Sequence, residues 1–328
     1  MPSPEGMPNH FDLITIGDCV VDIFSFPQEA DVHCQLHGDE ECELCLSAAD
    51  KVPSKGFSLT FGGNAANVAV GSSRLGVKTA IYTHVGEDLF GREILENFKH
   101  EGVDTSLVKV DKDQPTNVNI IISWEGERTI LSKHQPRKYE VPKVHAPWVY
   151  FSSLAPGHDY FHEPFFAYVK ENRAKVAFNP GSYQIKEGLK AYAKLLKMTE
   201  VLILNRQEAG QLLGVDHALK NERELVARLH ELGPRIVVVT DGPAGAYASD
   251  GESFHFQKAT KKPAKERTGA GDAFSTGLTA ALVLERDLPT ALKWGTLNAE
   301  SVTQEVGAQA GLLKRKSLEA RVKNLNNL

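Results

Sequence analysis

Six short runs of apolar, largely β-branched residues limit what this chain can fold into. They are FDLITIG (11–17), KTAIYTHVG (78–86), WVYFSS (148–153), KVAFNP (175–180), EVLILN (200–205) and RIVVVT (235–240). Each lacks the in–out alternation of a strand with one wet face, so each reads as a strand buried on both sides. Between them, NAANVAVGSSRLG, LFGREILENFKHEG, EPFFAYVKENR, RQEAGQLLG and ERELVARLHELG have helical spacing, and several end in the glycine that commonly follows a helix C-terminus. The alternation predicts the α/β class: a doubly wound, mainly parallel sheet with helices on both faces.

Two stretches break the rhythm. Residues 23–60 separate the first strand from the next glycine cluster by far more than an ordinary βα loop. Residues 115–133, PTNVNIIISWEGERTILSK, read as a β-hairpin turning at EGE. Together they predict a small β lid on a domain spanning residues 11–310, followed by a C-terminal helical end at 311–328. Internal repeats and low-complexity linkers are absent from the sequence. An open-edged lid also suits pairing with a second copy, so a homodimer through the lid is expected.

Composition narrows the function. A formal net charge of −5 over 328 residues gives no broad basic excess for nucleic acid. No run approaches the ~18 apolar residues of a membrane span. The N-terminal MPSPEGMPNHFDLITIG has no basic-then-apolar leader pattern, and four cysteines are few for a disulfide framework. A reducing, cytoplasmic setting is expected.

Three motifs can carry chemistry. ERTGAGDAFSTG (266–277) puts a Gly-Ala-Gly turn in front of a helix, so unpaired backbone N–H groups of Gly269, Ala270 and Gly271 would converge at the positive end of a helix dipole. That suits a phosphate, or the charge that builds up during its transfer. Asp272 is then either a base taking a proton from an attacking hydroxyl, or only a helix cap. In FGGNAANVAVGSSRLG (61–76), Gly62 and Gly63 allow close approach, and Asn64 and Asn67 offer amides to sugar hydroxyls, with a plain βα turn as the alternative. Asp22, just past the first strand, lies where open α/β sheets bind ligands and would hold vicinal hydroxyls, unless it is a solvated loop residue.

These elements resemble the ribokinase/PfkB family of carbohydrate and nucleoside kinases. GGNAANVAVGSSRLG is similar to its N-terminal signature and TGAGDAFSTG to its C-terminal one. LNRQEAG (204–210), VVTDGPAGA (238–246) and LNAESVTQEVGA (297–308) resemble further family elements in the same order. The resemblance implies a γ-phosphate transfer from MgATP to a sugar or nucleoside hydroxyl. Asp272 would be the base and Gly269, Ala270 and Gly271 the anion hole. Asn205 and Glu208 would organise Mg²⁺ through water, Thr240, Gly242 and Gly245 would form the turn against the nucleotide, and Asn298 would meet the base or ribose. Asp22, Gly63, Asn64 and Asn67 would contact the sugar. The family often carries Asp-Thr ahead of the second signature, where many members hold a monovalent cation. Glu266 and Arg267 stand there in this chain, a departure that speaks against potassium activation, while Thr268 and VGA (306–308) keep part of the pattern, so a monovalent cation stays open. Arg267, with Lys258, Lys261, Lys262 and Lys265, adds positive charge beside the expected phosphate site.

HCQLHGDEECELC (33–45) has no counterpart in the family pattern. His33, Cys34, His37, Cys42 and Cys45 supply more than four candidate zinc ligands, including one C-x₂-C pair, but no regular partner pair. A structural zinc site and a plain lid hairpin with cysteines as small hydrophobes both remain open. For the whole chain, the alternatives to a kinase are a catalytically silent nucleotide- or sugar-binding regulator on the same fold and an NAD-dependent oxidoreductase. The oxidoreductase reading lacks the G-x-G-x-x-G fingerprint.

Overall fold

The computed structural model describes residues 11–37, 39–125, 127–155, 157–215, 221–260 and 263–326, with the backbone alone described at 35–37, 39–41, 189, 325 and 326. Its centre is an eight-stranded sheet. In spatial order the strands are Phe254–Gln257, Ala246–Ser249, Ile236–Thr240, Thr199–Asn205, Lys175–Phe178, Trp148–Phe151, Leu13–Ile16 and Thr79–Tyr82. The last six pair in parallel, and the two at the Phe254 edge are antiparallel.

The unbroken apolar runs follow from this placement, because successive residues enter different cores. Ile14, Val149, Phe151, Val176, Phe178, Leu202 and Val237 face one layer, where they meet Phe161, Phe165 and Tyr192. Leu13, Tyr150, Ala177, Val201, Ile203 and Val238 face the other, against Phe274, Leu278 and Trp294. The expected fold class is the one observed. Two helices outside the predicted set, Ser182–Glu187 and Leu189–Met198, add to the first layer.

A second sheet of four strands, in the order Glu127–Lys133, Val118–Trp124, Val20–Pro27 and Ser54–Gly62, stands apart from the first. It contains the predicted hairpin, which closes at the Trp124–Glu127 pair. It also includes Val20–Pro27, so Asp22 lies within a strand, opposite Thr60 and Asn119, rather than in a loop past the first strand.

Residues Asp31–His37 and Asp39–Cys45 form a separate antiparallel ribbon. Cys34 and Cys42 face each other in its register and are joined as a disulfide, contrary to the reduced thiols expected. This corrects the zinc reading. The disulfide removes two of the thiolates, and the alternation of the pleat puts His33 and Cys45 on the opposite face from Cys34 and Cys42. The His37 side chain lies outside the described residues. Among the described residues no group of three or more His, Cys, Asp or Glu is placed to hold a metal. No helix among them is long and apolar enough to cross a membrane.

Candidate active site

The helix Ala270–Val283 begins at Gly269, whose φ of 76° is left-handed and whose added Cβ would lie 2.3 Å from the Ala308 Cβ. Glycine is therefore required at this turn. The Ala270 N–H donates to the Arg267 carbonyl at 3.2 Å and that of Ala273 to the Gly269 carbonyl at 2.8 Å. The amides of Gly271 and Asp272, and that of Gly269 before them, have no backbone acceptor among the described residues. The free donors of the expected anion hole thus lie on either side of Ala270, whose own amide is engaged. A Cβ at Gly271 would meet nothing within 4 Å, so the space beside it is open.

Two cavities meet at this helix start. One, of about 530 Å³, is lined by Thr240, Gly242, Gly245, Ala246, Arg267, Ala270, Gly271, Phe274 and Thr296 among others. The other, of about 490 Å³, is lined by Asp18, Asp22, Gly63, Asn64, Asn67, Asn119, Thr268, Gly269 and Asp272, with the inner face of the four-stranded sheet over it. One turn of chain thus borders both: Ala270 and Gly271 face the first, Gly269 and Asp272 the second.

The Asp272 carboxylate is held by the second predicted motif. Asn67 Nδ2 donates to Asp272 Oδ2 at 2.7 Å, while Asn67 Oδ1 accepts from Gln309 Nε2 at 3.1 Å. Gln309 Oε1 in turn accepts from Asn97 Nδ2 at 3.0 Å. Asn67 lines the second cavity, but its amide is committed to orienting Asp272. Burial pushes the Asp272 carboxyl up to about 6 against the lowering effect of the Asn67 hydrogen bond.

Asp22 accepts from Asn119 Nδ2 at 2.9 Å. Burial, then the nearby Asp272 and Glu266 carboxylates, push it up to about 6 as well. Glu266 is itself buried, and its Oε1 accepts from the Thr268 amide at 2.8 Å and hydroxyl at 2.6 Å.

Asn205 and Glu208 form a reciprocal cap on the helix Arg206–Leu213. Glu208 N–H donates to Asn205 Oδ1, and Asn205 N–H to Glu208 Oε2, each at 2.8 Å. Burial and the Asp272 charge both raise the Glu208 carboxyl above its ordinary value, against a hydrogen bond from the Asn205 amide. Asn205 lines an adjoining cavity that shares Thr240 and Gly242 with the first.

Asn298 departs from expectation. It is fully buried, donates to the Ala273 carbonyl at 2.7 Å and accepts from the Leu313 amide at 2.9 Å. Its amide ties its own helix to the helix Ala270–Val283 at one end and to the segment before the helix Arg315–Asn326 at the other, and it lines neither cavity; Thr296 and Ala299 line the first cavity from the same helix. Arg267 lines the first cavity and pairs with Glu127 of the hairpin at 3.1 Å. Lys261 and Lys262 lie outside the described residues.

Other residues of the second cavity carried no sequence signal: Asp18, Arg128, His134, Ser153, Tyr183 and Lys186. They come from separate segments and share only a place in space. A buried carboxylate flanked by free amides between two cavities, on a parallel α/β sheet, is an arrangement suited to group transfer. A pfkB family carbohydrate kinase model matches residues 35–315, and the chain belongs to that family of carbohydrate kinases. It is 26% identical over 277 residues to a ribokinase of Haemophilus influenzae, covering 81% of this chain and 88% of that one. It is 25% identical over 326 residues to a 5-dehydro-2-deoxygluconokinase of Lacticaseibacillus casei, covering 93% and 94%. The structure of Arabidopsis thaliana ribokinase complexed with ribose and ATP superposes with a TM-score of 0.77 at 21% identity, over 96% of this chain and 99% of that one.

Proposed function

We propose that the protein transfers the γ-phosphate of MgATP to a hydroxyl of a sugar or nucleoside, with Asp272 as the general base. We also take residues 11–310 as one catalytic domain whose four-stranded sheet is its lid. The observation that carries this reading is the position of Asp272 and its neighbouring free amides between the two cavities.

The residues fit both partners. The open space beside Gly271 and the Thr240–Gly242–Gly245 turn suit a nucleotide and its phosphates. Bound MgATP supplies the phosphoryl group. Asn205 and Glu208 would steady the metal through water, since magnesium retains several waters and leans on phosphate oxygens. Asn67 holds Asp272 Oδ2, which leaves Oδ1 to take the proton of the attacking hydroxyl. Asp22 and Asn119 position that alcohol, and the amides of Gly271 and Asp272 stabilise the charge developing on the phosphoryl oxygens. The lid excludes water and limits wasteful hydrolysis. The decisive experiment is a screen of sugars and nucleosides for acceptor-stimulated ADP release, with silence throughout as the result against it.

The base must be ionised to act, so kcat/KM will fall as pH drops below about 6 and level off above it. Asp22 titrates in the same range and interacts with Asp272, so the acid limb reports the pair and its slope will lie between one and two. A pH–rate profile that stays flat from pH 5 to 8 would remove Asp272 from the role.

The outer face of the lid sheet supports the expected homodimer. Leu131, Ile120, Ile23 and Leu59 align in one cross-strand row, with Phe57 beside it, and all but Ile23 are exposed. A second copy would cover this row. Leu59→Glu should then shift the sedimentation mass from dimer to monomer, and a monomeric wild type would overturn the assignment.

A further inference from the structure

We propose that the acceptor carries an anionic substituent, a carboxylate or a phosphate, remote from the hydroxyl that reacts, and that Arg128 and Lys186 recognise it. The inference rests on the kinase reading above and deepens it by naming the acceptor's chemical class.

The cavity that holds Asp272 and Asp22 is also lined by Arg128, His134 and Lys186. Arg128, Ile130 and Ser132 alternate along the strand Glu127–Lys133 and all line the cavity, so Arg128 belongs to the strand face turned toward it. Past the end of that strand, the His134 ring packs edge-on against Tyr183 at 5.7 Å. This joins the lid to the helix Ser182–Glu187, where Lys186 follows Tyr183 by one turn.

Acids near these cations already have other partners. Asp18 stands 3.1 Å from His134 Nδ1, and Glu127 pairs with Arg267. Glu187 accepts from the Tyr192 hydroxyl at 2.5 Å. No carboxylate among the described residues pairs with Arg128 or Lys186. Ser132 lies in the cross-strand row of Asn119 and Asp22, and Arg128 stands four residues further along its strand, about 13 Å away, so Arg128 sits toward the other end of the cavity from Asp22.

A neutral sugar would leave both cations facing the cavity without a counter-charge. An anionic group would receive a forked pair of hydrogen bonds from the guanidinium and a third from the ammonium. It would also fix which hydroxyl reaches Asp272.

The test is steady-state ADP release by the intact protein with three sets of acceptors. One set is neutral (ribose, fructose, glucose), one carboxylate-bearing (gluconate, 2-keto-3-deoxygluconate) and one phosphate-bearing (fructose 1-phosphate, fructose 6-phosphate). At least one anionic acceptor should exceed every neutral one in kcat/KM by about ten- to a hundredfold, the worth of one or two charge-assisted hydrogen bonds. The anionic set that responds identifies the group as carboxylate or phosphate. In the double variant Arg128→Ala/Lys186→Ala the anionic-to-neutral ratio should collapse toward one, chiefly through KM, while Arg128→Lys retains much of it. A neutral acceptor preferred over every anion, or a double variant that weakens both classes equally, overturns the inference and leaves the kinase reading intact. If no acceptor stimulates ADP release, both fall together.

Discussion

Asp272→Asn will lower kcat by about 10²–10⁴-fold, the usual worth of a positioned general base, while nucleotide affinity changes little. The amide keeps the shape of the side chain, and its oxygen can still accept from Asn67 Nδ2, now 2.7 Å from Asp272 Oδ2. What it cannot do is take a proton. A stability measurement separates this loss from misfolding. Burial lifts the folded-state carboxyl to about 6, above the ordinary 3.8 of an aspartate, so the protonated form is the one the fold favours. Folding is therefore assisted below the unfolded value and loses that assistance as pH rises through about 6. The neutral variant escapes the loss, so without ligands it should be more stable than the wild type at pH 8, by about 1–2 kcal/mol after allowance for the open cavity, and the advantage should vanish near pH 4. Reduced kcat with raised stability is the signature of a catalytic base held ionised against its own electrostatic preference. Near-normal turnover, or a variant melting well below the wild type at pH 8, would count against the assignment.

The parts of this molecule legible in the sequence are those whose cause is local. Runs such as VLIL and IVVV could be read as strands because both faces of the sheet are dry, and the Gly269–Asp272 turn because one backbone conformation requires glycine there. The helices Ser182–Glu187 and Leu189–Met198 escaped the alternation pattern, since Gly188, at φ 80°, divides what would otherwise be one amphipathic stretch. Tertiary effects were harder. Asn298 stands in a family-like segment, yet its amide spans two buried backbone groups. Asn67 has an amide suited to a sugar hydroxyl and spends it on Asp272 and Gln309. The ribbon 31–45 offered metal ligands by count, but the pleat turns Cys34 and Cys42 one way and His33 and Cys45 the other. Arg128 and Lys186 had no motif at all, because their meaning lies in one shared cavity.

The largest stability effect should come from Arg137→Met, at the base of the lid. The Arg137 guanidinium is buried and donates to Asp111 Oδ2 at 2.7 Å, to the Pro115 carbonyl at 2.5 Å and to the Gln114 carbonyl at 3.4 Å. It thereby ties the chain leaving the hairpin to the chain entering it. His84, the other partner of Asp111 at 3.0 Å, is held below its usual imidazole value first by burial and further by the Arg137 charge, so loss of Arg137 relieves only part of that lowering. Methionine fills much of the volume but supplies no donor, leaving the Asp111 charge and two carbonyls short of partners. Removing one member of such a buried pair costs about 3–5 kcal/mol. Partial access of water to Asp111, whose side chain is 27% exposed, favours the lower figure. In a domain of this size that corresponds to a melting point lower by about 4–5 °C. The double variant with Asp111→Asn should lose less than the sum of the single losses, since each change removes the other's partner. A melting point within about 2 °C of wild type, or strict additivity, would show that Arg137 does not hold the lid base together.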